Sequence, residues 1–366
     1  MCRENPPRRM PKFVLRIVVA VFVLGAALAG VASWMGFSNN TPAFEEERTV
    51  KLPSGSSLEV IQDSLVAAGI LADRWTFDIV ARGTGWGDQI KSGHYAFTAG
   101  QSNIDILGKL RRGEEAPVRL TIRRGTRKDF VARAVAGIMA FSEDEFLAAL
   151  EDPEFTASIG TDTSHVFSFL LPDTYFFFWE SSPEVVITKV KETFDKFYEE
   201  ARAAAEAAAP NGTSPGLRLS KEDVTNMAAI VQWEALLDSE KPRIAGVYLN
   251  RLRDGWPLQA DPTVQYALIQ TEGSKRRLFN RDYKIRHPYN TYLSRGLPPG
   301  PVTNPDRHSI RGVLSSEGHG FYFFVAKGDG GHIFSRTLRE HRRNAQAYYR
   351  VMRQKRAAAA AAESGG

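Results

Sequence analysis

The amino-acid sequence predicts an α+β protein: a single N-terminal transmembrane helix, small mixed strand–helix units, and a last α+β domain carrying an acid on a helix. Three observations predict it. An apolar run without charge stands near the start; a strand, a glycine turn and a helix recur about seventy residues apart; and a capped helix late in the chain bears one acid on its apolar face. With 366 residues, 43% of them apolar, the chain is long enough for about two domains with their own cores and too apolar to be disordered.

The apolar run is Ile17 to Phe37, 21 residues rich in Val, Ala and Leu. At 1.5 Å per residue it spans roughly 30 Å, the thickness of a bilayer core. Arg3, Arg8, Arg9, Lys12 and Arg16 precede it, and Glu45, Glu46 and Glu47 follow. The positive-inside rule therefore predicts a cytoplasmic N-terminus and an exported, periplasmic body anchored in the inner membrane. A cleaved signal peptide is the competing reading, with Ala27-Leu28-Ala29 as the processing site, but the apolar run continues past it. The only cysteine, Cys2, lies on the predicted cytoplasmic side, so the exported part has no disulfide.

Behind a linker, Lys51-Leu52-Pro53-Ser54-Gly55-Ser56-Ser57-Leu58 leads into Val60, Ile61 and Leu65. Thr121-Ile122-Arg123-Arg124-Gly125-Thr126 leads in the same way into Phe130, Val131 and Val135. Each copy reads as a strand, a glycine turn, a Ser or Thr N-cap and an amphipathic helix. Between them His94–Phe97 reads as a strand and Ile104–Leu110 as a helix behind Ser102. These units make either a spacer or a glycan-binding module. Thr174–Trp179 is an aromatic strand or packing seam, and a helix runs from Pro183 to Ala209, broken by Pro210-Asn211-Gly212 and Ser214-Pro215-Gly216.

Ser220-Lys221-Glu222-Asp223 resembles a capping box, so a helix starts near Lys221 and runs through Met227, Ile230, Val231 and Leu237. Glu234 falls on its apolar face, four residues after Ile230 and three before Leu237. A desolvated acid keeps its proton to higher pH, as a general acid near neutrality requires. A structural Glu paired with Arg243 or Arg251 fits the same spacing, and on spacing alone is the commoner case. A second helix spans Pro242–Arg253. Then come polar and aromatic loop segments, Leu258–Tyr266, Tyr289–Tyr292 and Gly296–Pro301, whose amides, hydroxyls and rings suit sugars. Phe321–Val325 and His332–Phe334 read as a β-hairpin. Residues from Ala357 read as a disordered tail.

Other chemistries lack their motifs. The sequence has no HExxH, CxxC, Walker, dinucleotide or GxSxG pattern, and its seven His are scattered, so no metal or cofactor is implied. The net charge of +5 also resolves by position. The first sixteen residues carry +4, and Arg336–Arg356 holds eight basic residues against one acid. The body from Ile17 to Ser335, with 34 basic and 39 acidic side chains, is mildly acidic, which argues against nucleic acid as a partner.

Several stretches together resemble the YceG-like family of endolytic murein transglycosylases: Ala228-Ala-Ile-Val-Gln-Trp-Glu234, Ile244-Ala-Gly-Val-Tyr-Leu-Asn-Arg-Leu252, Leu258-Gln-Ala-Asp-Pro-Thr-Val264, Tyr289-Asn-Thr-Tyr292, Gly296-Leu-Pro-Pro-Gly300 and Gly330-Gly-His-Ile-Phe334. Leu171-Pro-Asp-Thr-Tyr175 matches as well. The resemblance implies a LysM-like module, a membrane-tethered enzyme that cuts nascent peptidoglycan strands, and a peptidoglycan synthase as partner. It puts Glu234 on the family's catalytic glutamate. Gln232 stands where many members carry a second Glu, and Phe167-Ser168 where many carry Glu-Gly.

The expected reaction is non-hydrolytic cleavage between N-acetylmuramic acid and N-acetylglucosamine, leaving 1,6-anhydro ends and limiting strand elongation. Gln259, Asp261, Tyr289, Asn290 and Tyr292 are assigned to substrate binding or to orienting Glu234. The alternatives are a non-catalytic peptidoglycan-binding scaffold and a hydrolytic muramidase with two carboxylates. The expected organisation is a basic flank (1–16), anchor (17–37), linker (38–48), LysM-like module (49–117), second repeat with aromatic junction and Ala-rich helix (118–216), catalytic domain (217–350) and tail (351–366).

Overall fold

The apolar run folds into helix α1 (Lys12–Phe37), five residues longer at its start than the uncharged stretch, with mean hydropathy 2.5 over its most apolar window. Its side chains are exposed along almost the whole length. Such a helix is long and apolar enough to cross a membrane, a property that anchors and signal sequences share. The computed structural model describes residues 12–208 and 218–364. Cys2, the arginines before Lys12 and the breaker at Pro210–Gly216 lie outside the described residues. The chain forms two units, Met1–Val118 with Phe176–Glu180, and Arg119–Tyr175 with Ser181–Gly366.

In the first unit α1 is followed by β1 (Arg48–Leu52), α2 (Leu58–Ala67), α3 (Arg74–Thr84), β2 (Gly93–Phe97) and α4 (Asn103–Arg112). β1 and β2 pair antiparallel, Arg48 opposite Phe97 and Leu52 opposite Gly93. Val50, Leu52, Tyr95 and Phe97 point into a core completed by Ile61, Leu65, Phe77, Val80, Ile106 and Leu110. Each such side chain contributes about 1.5–3 kcal/mol by leaving water. Ser57 caps α2 and Ser102 caps α4, the latter in a reciprocal box with Asp105. The sequence reading omitted α3, although Asp73 as N-cap and Gly85 (φ 69) as its left-handed stop both mark it.

The linker after α1 is fastened down. The N–H groups of Asn40 and Thr41 donate to the Gln101 carbonyl at 2.8 and 3.0 Å, and Ala72 N–H donates to Asn40 O at 2.8 Å. The buried Asn40 amide donates to Asp73 O (2.7 Å) and Asn103 Oδ1 (2.6 Å) and accepts from Asp73 N–H (2.7 Å). Asn103 Nδ2 in turn donates to the Met35 carbonyl in the last turn of α1 at 2.8 Å. With α1 packed on α3 and α4, these bonds tie the apolar helix to the unit that follows it.

The division between units falls inside β3 (Val118–Thr121) and β4 (Thr174–Phe177), which form a two-stranded sheet. Along the aromatic stretch Tyr175, Phe177 and Trp179 are buried while Phe176 and Phe178 are exposed, the period of two that a strand imposes. The second unit continues with α5 (Lys128–Ala136), α6 (Glu143–Glu151), α7 (Pro153–Ser158) and α8 (Pro183–Ala208). The second copy of the repeat lacks its expected cap. Arg127 occupies the N-cap position of α5 without a side-chain capping bond, while Thr126 Oγ1 donates to Arg123 O at 3.0 Å and closes the preceding turn.

The remaining elements are α9 (Lys221–Glu234), α10 (Lys241–Arg253), α11 (Asp261–Glu272), α12 (Arg307–Leu314), the hairpin β5 (Phe323–Ala326) and β6 (His332–Ser335), and α13 (Leu338–Ser364). α9 is the core helix: every residue from Val224 to Val231 is buried, and α10, α11 and α12 pack around it. Two expectations are corrected. The segment expected to be loop becomes helix from Asp261, because Pro262 in a first helical turn has the right φ and needs no partner for its missing N–H. The tail is helical through Ser364, since alanine is the strongest helix former.

Candidate active site

Ser220 starts α9 with a complete capping box, its hydroxyl accepting from Asp223 N–H and the Asp223 carboxylate accepting from Ser220 N–H. The helix ends at Glu234 rather than running through Leu237; Ala235 is extended (ψ 116) and Leu237 is exposed. The acid thus sits at a helix C-terminus, where the macrodipole disfavours a negative charge.

Two groups hold its half-buried side chain. Tyr248 on α10, 1% exposed, donates from Oη to Glu234 Oε1 at 2.9 Å. The backbone N–H of Asp261, in the first turn of α11, donates to the same carboxyl group. Burial raises the Glu234 pKa most, the negative charge of Asp261 raises it further, and the two hydrogen bonds and the Arg251 charge pull it down; the result is a carboxyl group pushed up from 4.5 to about 7. The structural pairings that spacing allowed do not form. Arg243 pairs with Glu317 at 2.7 Å, and the buried Arg251 spends its donors on the carbonyls of Tyr322 (2.8 Å) and Leu258 (2.6 Å). Among the described residues Glu234 has no ion pair.

Glu234 opens onto a cleft of about 380 Å³ lined by Trp233, Asp261, Pro262, Gln265, Lys275, Arg277, Leu278 and Tyr283. Asp261 is exposed there, accepting from Tyr292 Oη at 2.7 Å and Tyr283 Oη at 3.4 Å, and the two rings lie 4.6 Å apart. Burial, then the neighbouring Asp261 carboxylate, raise both phenols, Tyr283 to about 12 and Tyr292 further. These hydroxyls are donors at every physiological pH.

The other expected residues serve the cleft from behind. Asn290 is fully buried; its Nδ2 donates to the Tyr283 (3.1 Å) and Ile285 (2.9 Å) carbonyls and its Oδ1 accepts from Tyr292 N–H (3.0 Å). It shapes the loop that presents Tyr283 and Tyr292, leaving no amide atom for a sugar. Tyr289 stacks on Tyr266 with centroids 4.4 Å apart. Gln259 is exposed and, at φ 51, the only non-glycine among the described residues in the left-handed region. Its N–H donates to Thr291 O (3.1 Å), while Ala260 N–H donates to Thr291 Oγ1 (3.1 Å), a turn that aims the start of α11 at Glu234.

Gln232 faces away from the cleft. Its amide nitrogen donates to Ser309 Oγ (2.7 Å) and the Asp306 carboxylate (3.0 Å). Lys241, 1% exposed, joins the same network through Asp306 (3.1 Å) and Asp238 (2.7 Å). Asp238, Asp306 and His308 are close enough to share an ion, but the Lys241 ammonium already supplies the positive charge there, so the donor set does not fit a metal. The sequence reading missed Tyr248 and Tyr283. Tyr248 carried a signal, since it lies four residues after Ile244 on a buried face, where a phenol needs a hydrogen-bond partner.

A profile of the YceG-like family matches residues 50–347. An endolytic murein transglycosylase of Bacillus subtilis is 27% identical over 340 residues, covering 88% of this chain and 91% of the relative. An endolytic murein transglycosylase of Streptococcus pneumoniae is 25% identical over 329 residues, covering 81% of this chain and 57% of that longer protein. The crystal structure of a yceG-like protein from Listeria monocytogenes superposes with a TM-score of 0.53 at 28% identity, covering 82% of this chain and 99% of the other.

Proposed function

Since the chain belongs to the YceG-like family, we propose that it is a lytic transglycosylase of peptidoglycan, anchored by α1 with its body outside the cytoplasm. The observation that carries the proposal is one carboxyl group, Glu234, raised to about 7 and held by Tyr248 at the edge of a cleft. At that pKa the group is protonated often enough to donate and ionised often enough to accept.

In the proposed reaction Glu234 donates its proton to the oxygen bridging C1 of N-acetylmuramic acid and the next N-acetylglucosamine, and the C1–O bond breaks. The C6 hydroxyl of the same muramic acid then closes on C1, and its proton passes to the Glu234 carboxylate. The acid ends as it began, no water is consumed, and the product carries a 1,6-anhydro ring. Tyr248 is a positioning residue. Asp261 provides negative charge in the cleft against the cationic character that develops at C1, and Tyr283 and Tyr292 hold it. Gln259, Tyr289 and Asn290 act through the backbone of the two loops.

The strand–helix–helix–strand order from β1 to β2 supports reading the first unit as LysM-like and glycan-binding. Limiting strand elongation beside a peptidoglycan synthase follows from the same reading. The nearness of Asp261 to Glu234 favours one rival, a two-carboxylate muramidase. Mass analysis of digested glycan strands separates the two. We expect 1,6-anhydro-muramic acid ends that disappear with Glu234→Gln; reducing muramic acid ends alone would sink the transglycosylase reading.

A further inference from the structure

A second groove, within the second unit, lies outside the cleft and has no part in the chemistry above. It encloses about 830 Å³ between β3 and α5. Its floor is apolar: Leu120, Ile122, Val131 and Val135 are buried beneath it, and Phe130 stands exposed at its side. Three arginines rim it, Arg119, Arg123 and Arg133. Arg133 is neutralised by Glu143 at 3.3 Å, whereas Arg119 and Arg123 are exposed and form no ion pair among the described residues. Two unpaired guanidinium groups over an apolar floor complement a ligand with carboxylates and small apolar groups.

The groove adjoins the cleft through a single turn. Arg123 and Thr126 line the groove, while Gly125 between them accepts at its carbonyl from Trp233 Nε1 at 3.2 Å. Trp233 lines the cleft beside Glu234. The turn is fixed from below: Thr126 N–H donates to Asn304 Oδ1 (2.8 Å), Asn304 Nδ2 to Arg123 O (2.9 Å) and Thr303 Oγ1 to Thr126 O (2.9 Å).

We propose that this groove is a subsite for the peptide branch of the substrate, with Arg119 and Arg123 pairing its carboxylates and the Leu120–Val135 floor taking its alanine methyls. The proposal rests on the peptidoglycan reading of the cleft, because only a glycan bearing acidic peptides on its muramic acid residues would occupy both places. The glycan backbone supplies hydroxyls and acetamides; the peptide supplies the charge.

The test is direct binding of the free stem pentapeptide to the full chain in detergent, in a Glu234→Gln background that removes turnover. Calorimetric or NMR titration should give saturable binding, weakened at least about tenfold by Arg119→Glu with Arg123→Glu. The milder pair Arg119→Gln with Arg123→Gln should weaken it in the same direction, with melting temperatures unchanged. No saturable binding, or equal affinity in all three proteins, overturns the subsite. Loss of binding to phosphatidylglycerol vesicles with unchanged peptide affinity also overturns it, in favour of a lipid surface. Failure of the catalytic reading would appear elsewhere, as wild-type digests without 1,6-anhydro ends.

Discussion

Replacing Glu234 with Gln should stabilise the protein, by an amount that grows with pH. The carboxyl group has a pKa of about 7 in the folded chain against 4.5 for an unperturbed Glu. An acid whose pKa rises on folding binds more protons in the native than in the unfolded state between those values. Stability is therefore fully retained below pH 4.5 and falls as the pH rises toward 7. At 1.36 kcal/mol per pH unit, ionised Glu234 costs the fold about 3 kcal/mol by pH 8. Glutamine keeps the size and can still accept from Tyr248 Oη and Asp261 N–H, but it never ionises. Calorimetric scans of the full chain in detergent should show near-coincident melting at pH 4. At pH 8 the variant should melt on the order of 6–12 °C higher, given about 2–4 °C per kcal/mol for a unit of this size. A difference that stays flat from pH 4 to 8 would mean that Glu234 ionises like a surface acid, and its assignment as general acid would fall with it.

Tyr248→Phe removes a hydrogen bond to the ionised acid worth about 1.5 kcal/mol, so the alkaline limb of the kcat/KM profile should move up by about one pH unit while kcat falls. Asp261→Asn removes the charge that opposes ionisation of Glu234, so the same limb should move down while the product keeps its 1,6-anhydro end; a pH–rate profile with product analysis checks both. Asn40→Ala strands the buried Asn103 and Asp73 groups and should cost about 2–3 kcal/mol, read as lost hydrogen-exchange protection at Ala72 and Asp73.

Much of this was legible in the sequence because local chemistry and tertiary structure agree. The Ser220 capping box, the run of buried residues that follows it and the position of Glu234 on the helix all survive folding. The end of α9 was not legible. Ala235-Leu236-Leu237 continues a helical pattern and holds no Gly or Pro, and what ends the helix is the capture of Glu234 by Tyr248 and the start of α11, elements distant in sequence. α11 itself was hidden by a misread signal, since Asp261-Pro262 starts a helix as readily as it makes a turn. Asn290 shows a further limit: an amide among aromatic residues looks like a sugar ligand, and only burial reveals that its hydrogen bonds are committed to the chain. Gln259 hid its left-handed φ behind a residue type that rarely adopts it.

The clasp around Asn40 has a mechanical consequence if α1 lies in a bilayer, as proposed. A flexible tether would let the first unit roam a hemisphere and meet glycan at many heights. With Met35, Asn40, Asp73, Gln101 and Asn103 bonded together, the helix and the first unit form one bracket, which the proposed anchoring would bolt to the lipid surface. Tilting the helix tilts the unit with it. On the proposed anchoring, such a bracket would sample only the thin layer of wall material next to the membrane and would hold the unit there at high effective concentration.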